Sequence, residues 1–107
     1  MTQDKRLSML GLCRRAGRLM WGHDTCLLSV RRGSARLCLL ARDASERQVR
    51  DLQFAADRAG SAPQIIRMPY TMQEIKDAAG CFAGVLSIED EGFAKRLAEL
   101  FESAPLD

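Results

Sequence analysis

The sequence has few of the residues on which small catalytic and metal-binding domains depend. Among 107 residues there is one histidine, His23. The four cysteines, Cys13, Cys26, Cys38 and Cys81, stand 13, 12 and 43 positions apart, so there is no Cys-x-x-Cys pair to begin a zinc site. Each lies in or beside an apolar segment, where a free thiol behaves as a small hydrophobe, and reduced core cysteines are expected rather than disulfides. No metal and no cofactor is expected. No apolar run approaches the ~18 residues that a membrane span needs, and the opening MTQDKRLSML is polar where a secretory leader would be apolar. The expectation is a cytoplasmic protein without membrane contact.

Catalytic signatures are missing as well. The sequence contains no G-x-x-x-x-G-K-[ST], no G-x-S-x-G and no H-E-x-x-H, and Gly80-Cys81-Phe82-Ala83-Gly84 lacks the spacing of a dinucleotide loop. Cys26 and His23 are close in the chain, but a Cys–His pair is recognised by geometry, and Cys26 reads more simply as core. His23 reads as a turn residue before it reads as a base. Asp90 and Glu91 together suit a helix start, where carboxylates favour the positive end of the dipole. No catalytic residue is assigned.

What the chain does have is ordinary globular stock and a polarised charge. With 47% hydrophobic and 28% charged residues it makes one domain over 1–107. The net charge of +2 divides unevenly: residues 1–50 hold 11 Lys or Arg against four carboxylates, which is +7, and residues 51–107 hold 5 against 10, which is -5. Thirteen of the sixteen basic side chains are arginine, whose planar fork suits phosphate oxygens and base edges. That bias points toward nucleic acid, while simple alternation of basic and acidic surface stays open beside it.

Patterning predicts alternating helices and strands. Leu7, Leu10 and Cys13, with Leu12 and Ala16 beside them, mark a helix from Asp4 to Ala16, stopped by Gly17. Arg18 to Trp21 is short and extended at best. Gly22-His23-Asp24 then turns into a second helix reaching Arg32, with Asp24 as its candidate N-cap. Leu37 to Ala41 has no polar alternation and reads as a strand buried on both faces. Ser45 and Gln48 form a capping box for a third helix, ending at Gly60, whose inner face is Val49, Leu52, Ala56 and Ala59. A strand from Gln64 to Met68 follows, then a second capping box at Thr71 and Glu74, and a short helix ending at Gly80. Ala83 to Ile88 is the last strand, and Phe93, Leu97, Leu100 and Phe101 give the last helix its inner stripe. This order argues for an α/β fold, a three-layer α/β/α sandwich with a four-stranded sheet, in which Leu39, Ile66 and Leu86 lie buried on central strands. In such sheets the site forms at loops leaving the carboxyl ends of strands. Arg42 and Asp43 reach one edge that way, and Trp21-Gly22-His23-Asp24 reaches the same edge.

The segments LGLCRRAGRLMWGHD, VRRGSARLCLLARDASE and VLSIEDEGFAKRLAEL resemble the bacterial YlxQ-type ribosome-associated proteins, a branch of the ribosomal protein L-seven-Ae superfamily that binds kink-turn RNA. The resemblance runs from about Leu7 to Leu100 and implies a mixed sheet within the sandwich, no catalysis, and a monomer whose partners are RNA and the ribosome. It also implies an RNA-contacting segment of the pattern Gly-x-Asn-Glu-x-x-Lys at the start of helix two, preceded by a basic residue. Gly22 matches the glycine and Arg18 the basic residue, but Asp24 stands for the asparagine, Thr25 for the glutamate and Leu28 for the lysine. The family's apolar loop falls at Gly80 to Gly84, where Cys81 and Phe82 either offer an apolar or stacking surface or belong to the core. The expected RNA-binding set is therefore Arg14, Arg15, Arg18, Gly22, His23, Asp24, Thr25, Leu28, Arg42, Asp43, Cys81 and Phe82, gathered at one edge. The rival reading keeps the fold as a protein-interaction module, and Trp21 and Leu28 exposed together would favour it.

Overall fold

The computed structural model describes residues 4–60 and 62–103, so the expected domain over 1–107 includes positions outside the described range. The elements are α1 (Lys5–Arg15), β1 (Leu19–Trp21), α2 (His23–Arg31), β2 (Leu37–Leu40), α3 (Glu46–Arg58), β3 (Gln64–Arg67), α4 (Met72–Ala79), β4 (Val85–Ile88) and α5 (Glu91–Ser103). Helix starts follow local chemistry. Both capping boxes form: Ser45 Oγ accepts from the Gln48 N–H while Gln48 Oε1 accepts from the Ser45 N–H, and Thr71 and Glu74 repeat the arrangement at α4. Asp90 Oδ2 accepts from the Phe93 N–H in the first turn of α5, as the acidic pair suggested. The start of α2 departs from expectation. Gly22 is its N-cap and Asp24 sits inside the first turn, because the chain turns at Gly22 with φ 105° and ψ 149°.

The sheet order is β1-β4-β2-β3. β4 pairs antiparallel with both β1 (Leu19↔Ile88) and β2 (Leu37↔Ile88), and β2 pairs parallel with β3 (Leu37↔Gln64). Every residue of β2 and β4 is buried, Leu39 and Leu86 completely, as the unbroken apolar run of β2 requires, and in β4 only Ser87 is polar. Ile66 corrects the sequence reading. β3 has only β2 beside it, so Ile66 lies on an edge strand and is half-buried, with Gln64 and Arg67 exposed on either side. On one face α2 packs against β1, β4 and α3, and on the other α1 packs against β1, α4 and α5. A polar seam ties β4 to α2, with Ser87 Oγ donating to Ser29 Oγ at 3.1 Å and Ser29 Oγ to Glu89 Oε2 at 2.7 Å. The start of α1 is pinned by the Tyr70 hydroxyl, which donates to the Asp4 carboxylate, and by the Arg6 guanidinium, 5.3 Å from the Tyr70 ring and 5.4 Å from that of Phe101.

Because β1 and β2 both run against β4, and β3 runs with β2, three strands point one way and one the other. The carboxyl ends of β1, β2 and β3 therefore meet the amino end of β4 at a single sheet edge. Backbone bonds close that edge: Gly22 N–H to Val85 O at 3.1 Å, Ala41 N–H to Gly84 O at 2.9 Å, and Met68 N–H to Leu40 O at 2.8 Å.

Candidate nucleic-acid interface

At this edge the start of α2 differs from the other helix starts. α1, α3, α4 and α5 each have a side chain accepting from a first-turn N–H, whereas Gly22 gives α2 none. The N–H groups that begin an α-helix have no partner within it, and together with the helix dipole they favour an anion. Gly22 makes this possible through its backbone. Nothing lies within 4 Å of where a Cβ would stand, but φ 105° with ψ 149° is ground that side chains rarely enter. Gly22→Ala is expected to cost about 1–3 kcal/mol of stability by strain alone. An unchanged denaturation midpoint in that variant would contradict this backbone geometry.

Around α2 the neighbouring side chains fall into three groups. Arg14, in the last turn of α1, lies with its guanidinium 4.4 Å from the centre of the Trp21 ring, a cation–π stack on a residue 37% exposed. Burial raises the pKa of the Cys81 thiol and the charge of Arg14 opposes that rise, which puts Arg14 near the loop before β4. That loop presents Phe82, 57% exposed, and buries Cys81, so Phe82 offers a surface and Cys81 offers none. The loop is held close to α3 at Gly84, where a Cβ would stand 2.5 Å from Gln48 Oε1, the atom that closes the Ser45 capping box. The third group joins α2 to α3. His23 Nε2 lies 3.0 Å from Asp51 Oδ2, and Arg47 Nε is 3.8 Å from the same oxygen.

These contacts sort the expected residues. Gly22, Asp24 and Thr25 form the exposed or half-exposed first turn of α2, with Leu28 exposed one turn on. His23 stands among them, but its Nε2 is engaged by Asp51 and its Nδ1 is buried without a partner. Arg42 is exposed at the edge, its N–H donating to Tyr70 O and its carbonyl accepting from Arg67 Nη2 at 2.9 Å. Asp43 is turned to a structural task, its Oδ1 accepting from the Met72 N–H at 2.9 Å at the start of α4. Two arginines lie elsewhere. Arg15 lines a groove between α1 and α4 with Asp4, Gly11 and Asp77. Arg18 precedes β1 and lines a depression with Arg36, Glu89 and Asp90 at the opposite sheet edge. The basic half of the chain is thus split between two edges, since β1 carries the chain across the sheet between Arg18 and Gly22. Arg47 was not expected at the site. The capping box marked it as a first-turn residue of α3, but only the packing of α3 beside α2 brings it here.

The four thiols belong to the core. All four are buried and unpaired in disulfides, and burial pushes Cys13 and Cys38 up to about 11 and Cys26 further in the same direction. Cys26 Sγ donates to the Val85 carbonyl at 3.5 Å, in the core rather than toward His23.

No protein-family model matches the chain. It is 29% identical over 100 residues to the RNA-binding protein YlxQ of Enterococcus faecium, covering 94% of each chain. It is 28% identical over 99 residues to the RNA-binding protein YlxQ of Bacillus subtilis (strain 168), covering 88% of this chain and 92% of that one. A solved structure from Bacillus halodurans, a protein with unknown function, superposes with a TM-score of 0.81 at 26% identity, covering 94% of this chain and all of that one. The Giardia lamblia 15.5kD RNA binding protein shares the fold, with a TM-score of 0.67 at 20% identity over 95% of this chain and 89% of its own. At 28–29% identity over most of its length the chain is similar to the YlxQ RNA-binding proteins, and it shares its α/β fold of five helices and a mixed four-stranded sheet with the two solved structures.

Proposed function

We propose that the protein binds structured RNA at this edge, without chemistry, as a monomer working with the ribosome. The observation that carries the reading is the uncapped start of α2 at Gly22, beside the Arg14–Trp21 stack and bonded to Val85 at the end of the loop that exposes Phe82. First-turn N–H groups meet a phosphate, Arg14, Arg42 and Arg47 hold neighbouring phosphates, and Phe82 stacks on an unpaired base. The names of the YlxQ relatives support RNA as the ligand.

Discrimination among RNAs is the weak point of this site. Asp24 accepts hydrogen bonds but lacks an amide donor, Leu28 reaches no phosphate, and His23 is tied to Asp51. Wild-type protein is expected to bind a kink-turn and a matched straight duplex within about tenfold of each other, ~1.4 kcal/mol. The triple variant Asp24→Asn, Thr25→Glu, Leu28→Lys should gain a kink-turn preference of about tenfold or more, since each good base contact contributes ~1–3 kcal/mol of discrimination. Titrating both proteins against both RNAs decides it. A wild type that already prefers the kink-turn a hundredfold would refute this account of the substitutions. Leu28 at 45% exposure, together with Trp21, favours docking of a protein on the same face, and that reading takes over if neither protein binds any RNA at low salt.

A further inference from the structure

Phe54 is the most exposed large apolar side chain among the described residues, at 60%, and it lies outside the edge described above. It sits on the outer side of α3, away from the buried Leu52, Ala55 and Ala56. The Arg58 guanidinium lies 4.4 Å from its ring centre. Arg31, from the last turn of α2, joins Phe54 and Arg58 around a hollow of about 130 Å³ between the two helices.

α2 and α3 run side by side in the same direction. His23, the first residue of α2, meets Asp51 near the middle of α3, and Arg31 at the end of α2 lines one hollow with Phe54 and Arg58 toward the end of α3. On α3, Arg47, Arg50, Phe54 and Arg58 stand at i, i+3, i+7 and i+11, which is one stripe of a helix. It begins beside the start of α2 and extends about 16 Å from Arg47 to Arg58 at 1.5 Å per residue. Two carboxylates interrupt it. Asp51 is held by His23 and Arg47, and Asp57 is exposed at the far end, leaving four arginines, Arg31 included, against two acids. An aromatic ring between arginines on a groove leading away from a phosphate site is how sequence-tolerant single-strand binding is built, by stacking on the ring and pairing of phosphates with guanidinium groups.

We propose that this face of α3 binds an unpaired stretch of RNA continuing from the structured element at the edge, with a base stacked on Phe54 and its phosphates on Arg50, Arg58 and Arg31. It rests on the edge being an RNA site, and the experiment separates the two. Wild-type protein, Phe54→Ala and Phe54→Trp are titrated with three probes: a kink-turn RNA bearing a single-stranded tail of about eight adenosines, within the range of single-strand site sizes, the same RNA without the tail, and the tail alone. The tail should tighten wild-type binding about tenfold, or ~1.4 kcal/mol. Phe54→Ala should lose that gain and Phe54→Trp keep it, with affinity for the untailed RNA equal in all three. If untailed RNA fails to bind, the edge reading falls, and Phe54-dependent binding of the tail alone still upholds this surface. Equal affinity for tailed and untailed RNA overturns the proposal, as does a tail gain that survives Phe54→Ala, absence of all binding, or a dimer seen by sedimentation that Phe54→Ala abolishes with no effect of the tail.

Discussion

Raising the salt from about 50 to about 200 mM should weaken binding of a structured RNA roughly thirtyfold. The number follows from counting phosphates. Arg14, Arg42 and Arg47 lie at the edge or at the adjoining start of α3, and about three phosphate contacts at -0.7 to -0.9 each give a salt slope near -2.4. Carboxylates at Asp24, Glu46 and Asp51 share this surface, so the slope should not approach that of a uniformly basic groove. Arg42→Ala should flatten it by about one unit and weaken all RNAs alike. Arg18→Ala is the control, because Arg18 lies at the opposite edge beside Glu89 and Asp90 and should leave the slope where it was. An affinity indifferent to salt would remove the arginines from the mechanism, and an effect of Arg18 equal to that of Arg42 would mean that RNA uses the other edge.

The second large effect is on stability. Leu39 sits in the middle of β2 with strands on both sides, helices above and below, and no exposed surface. Leu39→Ala should lower the unfolding free energy by about 2–5 kcal/mol, the lost burial plus the cavity left behind. Leu86, its register partner on β4, should behave alike. Ile66→Ala should cost clearly less, since the side chain is half-buried at the sheet margin and the site can relax toward solvent. Denaturant titration of the three variants tests the ranking, and an Ile66 effect as large as that of Leu39 would contradict the strand order.

Where the sequence was readable, the reason is local. Ser45 with Gln48 and Thr71 with Glu74 satisfy backbone donors within four residues, so the starts of α3 and α4 could be read without any tertiary information. Leu37 to Leu40 declared a doubly covered strand by composition alone. Non-local choices could not be read this way. Nothing in Gln64-Ile65-Ile66-Arg67 says that only one neighbour will flank it, and nothing in Arg14-Arg15-Ala16-Gly17-Arg18 says that the first arginine will stack on Trp21 while the last stays at the far edge. That Gly22 reaches the site edge follows from the strand-and-helix order as well as from the resemblance, but its role as N-cap in place of Asp24 depends on the backbone turn at φ 105° and ψ 149°. The stripe through Arg47, Arg50 and Phe54 has visible helical spacing, yet its nearness to α2 depends on how two helices pack.

The bonds from Gly22 and Cys26 to the carbonyl of Val85 also bear on when the molecule becomes competent. Cys26 and Val85 are 59 positions apart, and Phe82 arrives on the same late segment. Closing so long a loop costs entropy before any contact repays it, and pairings of high sequence separation form slowly. A chain that has emerged only through α4 holds Arg14, Arg47 and a nascent α2, but β1 has no partner and the edge has no floor. On the proposed site, recognition would thereby be coupled to completion: β4, the last strand in the chain, lies between β1 and β2, and RNA would meet an assembled surface only in molecules whose central strand is in place.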